Sequence, residues 1–334
     1  MEPVSVVVSM RNSATTIAAC LEGLAMQQYP IAEIIVFDNG STDDSVAIAE
    51  EIVARWPSLV RIIRRDSNGA LATSYNDGAE MAVADLVVFC HSDGAFPSNG
   101  ELEKLTEPLR RDPSVIAVYP NILTPREIWN RFSFWQKSLF ARRVELIDPS
   151  MCGKFDCIRK SVYLAVGGLN MARFTATCGY GGEDSDLNFR LAKAGRVVAS
   201  EACVIHVHGL SASFGLKDLF SARKLFARTY GKILMFQGIN PASRGTLLFF
   251  VRPTLAALPF LCPPWTLLAG VMMQLLFSLA TSWNMYTSRN TLLNRRILLL
   301  PFVDVALIYY ETFWFLEGLV TRSADARDER VPCP

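Results

Sequence analysis

Three short stretches carry side chains that could do chemistry together. In LVVFCHSDGAFPS (residues 86–98) an apolar run ends in His91, Ser92 and Asp93. In GYGGEDSDLNFRLAKAG (179–195) three carboxylates, Glu183, Asp184 and Asp186, follow a run of glycines. In VIHVHG (204–209) His206 and His208 stand two apart on an expected strand, so they point the same way. Carboxylate oxygens hold hard divalent cations, and such cations bridge phosphates. A carboxylate elsewhere in the same site can accept a proton as general base. Asp186 reads as a structural cap of the helix that SDLNFRLAKAG begins, with Arg190 one turn on as its partner.

To converge, these groups need a common frame. VSVVVSM (4–10) is a continuous apolar run of the kind a strand buried on both faces shows. EIIVFD (33–38), LVRIIRR (59–65) and LVVFC (86–90) read as further strands, separated by helical spacings after Asn12, after Asp44 and around residues 70–84. This alternation predicts a parallel sheet wrapped by helices. Ligands of such sheets bind beyond the carboxyl ends of the strands. Those ends supply Arg11 and Asn12, Asp38 and Asn39, Arg64 to Asp66, and His91 to Asp93. No GxGxxG follows the first strand and no GxxxxGK[ST] occurs, so something other than a glycine loop would have to neutralise a nucleotide diphosphate here, and a divalent cation held by Asp93 would do it.

The chain resembles the family 2 glycosyltransferases over about residues 3–230. The resemblance rests on VSVVVSMRNSATTIAACLEGLAMQQYP, EIIVFDNGSTDDS, SNGALATSYNDGAEMAVADLVVFCHSD, VGGLN with GYGGEDSDLNFRLAKAGRVV, and VIHVHGLSASF, in that order. It implies a GT-A fold: an α/β, Rossmann-like mixed sheet flanked by helices, occupying residues 1–235. It also implies an inverting, metal-assisted transfer from a nucleotide-diphosphate sugar to a hydroxyl acceptor. Carried over residue by residue, nucleotide-sugar contacts fall to Asn12, Asp38, Asn68, His91, Ser92 and Asp93. Asp93, with His206 and His208, takes the cation, Mn2+ or Mg2+. Asp184 is the catalytic base, with Glu183 second. His91 stands where the family has the first aspartate of D-x-D; it is open whether it ligates the metal, contacts the donor or does neither. Tyr75 departs from the arginine that many relatives carry before Asn76.

Composition bounds the partners and the setting. The 334 residues carry a formal charge of +1, which argues against nucleic acid as a partner. Eight cysteines without a CxxC pair read as reduced thiols of a cytosolic domain. The N-terminus lacks the basic region of a cleaved signal peptide. Mean hydropathy is +0.23, and no charged residue occurs from Pro253 to Ser288. Residues 236–334 therefore read as membrane-associated, with candidate segments at 246–262, 264–282 and 297–320. The expectation is a protein of the cytoplasmic membrane with its catalytic domain in the cytosol, in contact with membrane lipid and a glycan or polyprenyl-linked acceptor. Residues 126–143 mix aromatics with basic residues, as either an interfacial helix or a core helix would. Two other functions compete: a sugar-1-phosphate nucleotidyltransferase, which would need a glycine-rich loop that SMRNSAT lacks, and a non-catalytic protein that binds a sugar nucleotide or a partner.

Overall fold

The computed structural model describes residues 1–65, 71–171, 181–207, 213–238, 244–261 and 264–320. In chain order its first half runs β1 (Val4–Met10), α1 (Ile17–Ala25), β2 (Ile31–Asp38), α2 (Ser45–Arg55), β3 (Val60–Arg64), α3 (Leu71–Met81), β4 (Leu86–His91), β5 (Gly94–Ala95), α4 (Glu101–Arg111) and β6 (Val115–Leu123). There follow α5 (Arg126–Asn130), α6 (Phe134–Phe140), β7 (Ile147–Pro149), β8 (Phe155–Arg159), α7 (Lys160–Ala165), α8 (Glu183–Ala194) and β9 (Arg196–His206). The remainder is helical: α9 (Leu216–Gln237), α10 (Arg244–Ala257), α11 (Pro264–Thr281), α12 (Trp283–Thr287), α13 (Arg289–Leu292) and α14 (Leu300–Val320). The chain divides into two compact units, one of residues 1–125, 145–171 and 183–210, the other of 126–144, 172–182 and 211–334.

The first unit is built on a mixed sheet of order β3-β2-β1-β4-β8-β6-β9-β5, with β7 on β6. Strands β3, β2, β1 and β4 are parallel, whereas β8 lies antiparallel to β4 and β6. The four strands expected from apolar runs all form. All seven residues of β1 are buried, because both faces are covered. Its residues alternate between two cores. Val4, Val6, Val8 and Met10 pack with Ile17, Leu21 and Leu24 of α1 and Leu102 and Leu105 of α4. Val7 faces the other way, with Ile35, Phe37, Tyr75 and Ala79, in the core that also takes Leu187 and Leu191 of α8.

The second unit is helical. In it, Trp129, Phe132, Phe134 and Trp135 are all buried, and the Trp129 indole donates to the Lys137 carbonyl. Of the two readings of 126–143, the core one holds, since the aromatics are spent on packing. Helices α9 and α14 approach backbone to backbone: a Cβ at Gly231 would strike the Phe315 carbonyl, and one at Gly318 the Arg228 carbonyl.

The membrane expectation is corrected. Helices do form in the three candidate segments, but among the described residues none is long and apolar enough to cross a membrane. The 14 residues of α10 rise only about 21 Å and the 18 of α11 about 27 Å, against a hydrocarbon core of about 30 Å. α14 has the length, but it carries Asp304, Glu311 and Glu317. Each is engaged by polar partners within the unit: Asp304 by Ser278 and Ser282, Glu311 by Arg252, and Glu317 by Arg228. The placement of this chain in the cytoplasmic membrane is accordingly withdrawn.

Candidate active site

Strand register creates the centre of the site. β4 ends at His91, which pairs with Ser9 at the end of β1. The chain then turns tightly so that β5 can run back antiparallel to β9, with Gly94 opposite His206. Gly94 makes this turn narrow, since a Cβ there would stand 3.3 Å from the His91 carbonyl. Val207 N–H donates to the Asp93 carbonyl at 3.0 Å, locking the pairing. A histidine 113 residues away in sequence thus arrives beside the strand-end aspartate: His206 Nε2 lies 3.0 Å from Asp93 Oδ2. His91 Nδ1 lies 3.8 Å from Asp93 Oδ1, and the two imidazoles meet edge to face at 5.7 Å between centroids.

One ligand atom from each of His91, Asp93 and His206 falls within 4.8 Å of the others. Two imidazole nitrogens and a carboxylate oxygen suit a divalent first-row transition metal, and they suit manganese better than magnesium, which takes oxygen donors. The donor set therefore fits the expected cation. Of the metal ligands expected from sequence, Asp93 and His206 come together, and His91 joins them. His208 lies outside the described residues, as does Asn68.

The other expected donor contacts lie in strand-end loops tied by hydrogen bonds. The Ser92 hydroxyl lies 2.7 Å from that of Ser13, joining the end of β4 to the loop after β1. Asn12 adopts a positive φ of 49°, which asparagine tolerates, and its Oδ1 accepts from Thr42 N–H at 2.8 Å. Asp38 is buried and accepts from Ser41 N–H at 3.1 Å, closing the turn after β2. Asn39 donates to Ser9 Oγ and accepts from Ser74 Oγ, so β1, β2 and α3 meet at one polar node. Asn39 was visible only as a strand-end residue; this cross-linking role needs the fold.

Glu183 and Asp184 open α8, where the helix dipole favours negative charge. Asp186 accepts from Arg190 Nε at 2.8 Å, the expected pair, but it lies inside α8, which starts at Glu183, and does not cap its start. Sequence reading missed Asp156. It sits in β8 opposite Phe89 of β4, two residues before His91, and is 2% exposed. Its Oδ2 accepts from the backbone N–H groups of Cys152 and Gly153. Its Oδ1 is buried with no hydrogen-bond partner among the described residues. Burial pushes its pKa up to about 7; the Gly153 N–H and the Lys154 ammonium oppose this, and the nearby Asp184 carboxylate adds to it. Within FDCIR the residue shows no motif, so only the unusual choice of a charge inside a buried strand could have flagged it.

The turn that Asp156 holds also reaches Tyr75, whose hydroxyl donates to the Gly153 carbonyl at 2.6 Å. Gly153 has φ +69°, and a Cβ there would press on the Tyr75 ring at 2.9 Å and come within 3.8 Å of His91 Nε2. Tyr75 is thus part of the wall behind His91, which explains a large buried side chain at this position.

A mixed sheet of this order, with His91, Asp93 and His206 gathered at its strand ends, defines an α/β domain of the mixed-sheet class. Residues 5–165 match the family model of glycosyl transferase family 2. The glycosyltransferase GlyG of Streptococcus pneumoniae is 31% identical over 98 residues, 29% of this chain and 32% of that protein. The putative glycosyltransferase EpsH of Bacillus subtilis is 37% identical over 90 residues, 27% of this chain and 26% of that protein. The matched stretch thus spans a quarter to a third of these relatives. Among solved structures, a mannosyltransferase from Pyrobaculum calidifontis, in complex with GDP-Man and Mn2+, superposes with TM-score 0.59 at 18% identity, covering 94% of this chain and 87% of that one. That likeness shows the GT-A fold.

Proposed function

We propose that the chain transfers the sugar of a nucleotide-diphosphate sugar to a hydroxyl of a lipid-linked or cell-envelope glycan, with inversion at the anomeric carbon. The observation that carries this reading is the convergence of His91, Asp93 and His206 at the strand ends of a domain whose residues 5–165 match the family 2 model. In this reading those three residues hold a divalent cation, Mn2+ ahead of Mg2+, which when bound supplies Lewis-acid stabilisation of the leaving diphosphate. Asp184 accepts the proton of the acceptor hydroxyl, and Glu183 is the alternative base. A base acting on the face of the sugar opposite the leaving group makes a single in-line displacement, and that inverts the configuration. Asn12 and Asp38, fixed by their own turns, shape the nucleoside end, and Ser92 sets the spacing of the triplet.

The test is a panel of UDP-, GDP- and dTDP-sugars with manganese or magnesium, read as sugar release and transfer. Asp93→Ala is expected to lose both donor binding and turnover, and Asp184→Asn to lose turnover while still binding donor. Full activity in both variants overturns the proposal. Donor binding by the parent without turnover on any acceptor would favour a non-catalytic role instead.

A further inference from the structure

Strand β8 carries a carboxyl where an apolar side chain would be cheaper. Asp156 lies opposite Phe89 of β4 and is flanked by the buried residues Phe155 and Cys157. Its alternate neighbour Ile158 packs in the core of Phe37, Tyr75 and Phe89, so Asp156 points to that side of the sheet. Taking a carboxyl out of water is costly, and an apolar residue of similar volume would make the strand more stable. What the residue does there is local. Its Oδ2 accepts from Cys152 N–H at 2.9 Å and from Gly153 N–H at 2.5 Å, which closes the turn before β8. Its Oδ1 has no hydrogen-bond partner among the described residues, so the turn is what the side chain ties.

That turn backs His91. The Gly153 carbonyl accepts from the Tyr75 hydroxyl at 2.6 Å. The Tyr75 ring lies 4.9 Å from that of Phe89 and 6.4 Å from that of His91, between centroids. Gly153 itself stands so close that a Cβ on it would lie 3.8 Å from His91 Nε2. The imidazole is thus walled by the Gly153 backbone and the Tyr75 ring, while its Nδ1 faces Asp93 at 3.8 Å and its ring meets His206 edge to face. The geometry points to Asp156 as a positioning residue for the cation site: by closing the Cys152–Gly153 turn it sets the wall that turns the His91 imidazole toward Asp93 and His206. This rests on the reading of those three residues as the holders of a divalent cation. The role needs an oxygen that accepts the two N–H groups, not a charge, and that contrast makes it testable.

The test titrates the full chain with manganese alone and with magnesium alone, without donor, read by calorimetry and thermal shift. His91→Ala sets the level expected when that ligand is lost. Asp156→Leu fills the space but accepts no hydrogen bond. It is expected to bind manganese about tenfold or more weakly and to approach the manganese-to-magnesium ratio of His91→Ala. Asp156→Asn keeps an oxygen acceptor and is expected to retain the parent ratio. Tyr75→Phe keeps the ring and removes only its tie to Gly153, so it reads the wall even if Asp156→Leu fails to fold; the same direction of change is expected. Parent affinity and ratio in Asp156→Leu, or in Tyr75→Phe where Asp156→Leu does not fold, overturn the proposal. Weaker binding of both metals at an unchanged ratio overturns it too, since general loosening of the fold would do that, as does an Asp156→Asn that behaves like Asp156→Leu. A parent that binds manganese and loses it in Asp93→Ala, while the Asp156 and Tyr75 variants match it, removes only the role of Asp156. A parent that binds neither metal removes the cation reading as well.

Discussion

Replacing Asp156 by asparagine isolates the cost of a charge buried behind the site. In the folded protein this carboxyl titrates at about 7, against an ordinary 3.8, with burial the largest cause. A folded pKa above the unfolded one means that the folded state binds the proton more tightly. The associated stability is fully present below about pH 4, declines as pH rises, and is gone above about pH 7. Each unit of that interval is worth about 1.36 kcal/mol, so the whole ionisation penalty is about 4 kcal/mol. From pH 5 to pH 8 the two units up to pH 7 count, and about 3 kcal/mol of stability is lost. Asparagine can still accept from Cys152 or Gly153 N–H but never ionises. Urea unfolding of the parent and Asp156→Asn at pH 5 and pH 8 should therefore show the variant gaining about 3 kcal/mol relative to the parent across that range. A difference between the two proteins that is the same at both pH values refutes the reasoning.

Two further substitutions probe the same wall. His91→Asp restores the carboxylate pair that the family resemblance leads one to expect, and it should shift the preference from manganese toward magnesium; thermal shifts with each metal alone measure this, and an unchanged ratio would make His91 a bystander. Gly153→Ala puts a Cβ at φ +69° against the Tyr75 ring, so a loss of about 1–2 kcal/mol in urea unfolding is expected, and a neutral result would mean that the turn is free to move.

Much of the first unit was legible because its signals are local. The apolar runs of β1 to β4, and the polar residues that end them, need no knowledge of partners: a strand buried on both faces must read as continuous hydrophobe. The order of motifs pointed to the family whose model residues 5–165 match, and the Asp186–Arg190 pair followed from helical spacing alone. What escaped depends on contacts between distant segments. Asp156 is invisible in FDCIR until β8 is laid antiparallel on β4. The C-terminal apolar segments misled because composition does not report where helices stop, nor that the acids of α14 find arginine and serine partners.

The fold also sharpens the question posed by His91. Read in sequence, the histidine looked like a substitution within a D-x-D triplet, to be weighed against one aspartate. The register of β5 on β9 changes the terms, because it brings His206 to 3.0 Å from Asp93 whatever stands at position 91. The aspartate is thus bracketed by two imidazoles, one from its own strand end and one from across the sheet. A carboxylate at 91 would have put two negative groups beside each other and left a single nitrogen donor; histidine there makes nitrogen the majority of the donor set. On the proposed reading, metal choice is set by a strand pairing and one residue type together, which is why changing residue 91 alone should tilt the manganese-to-magnesium ratio without abolishing binding.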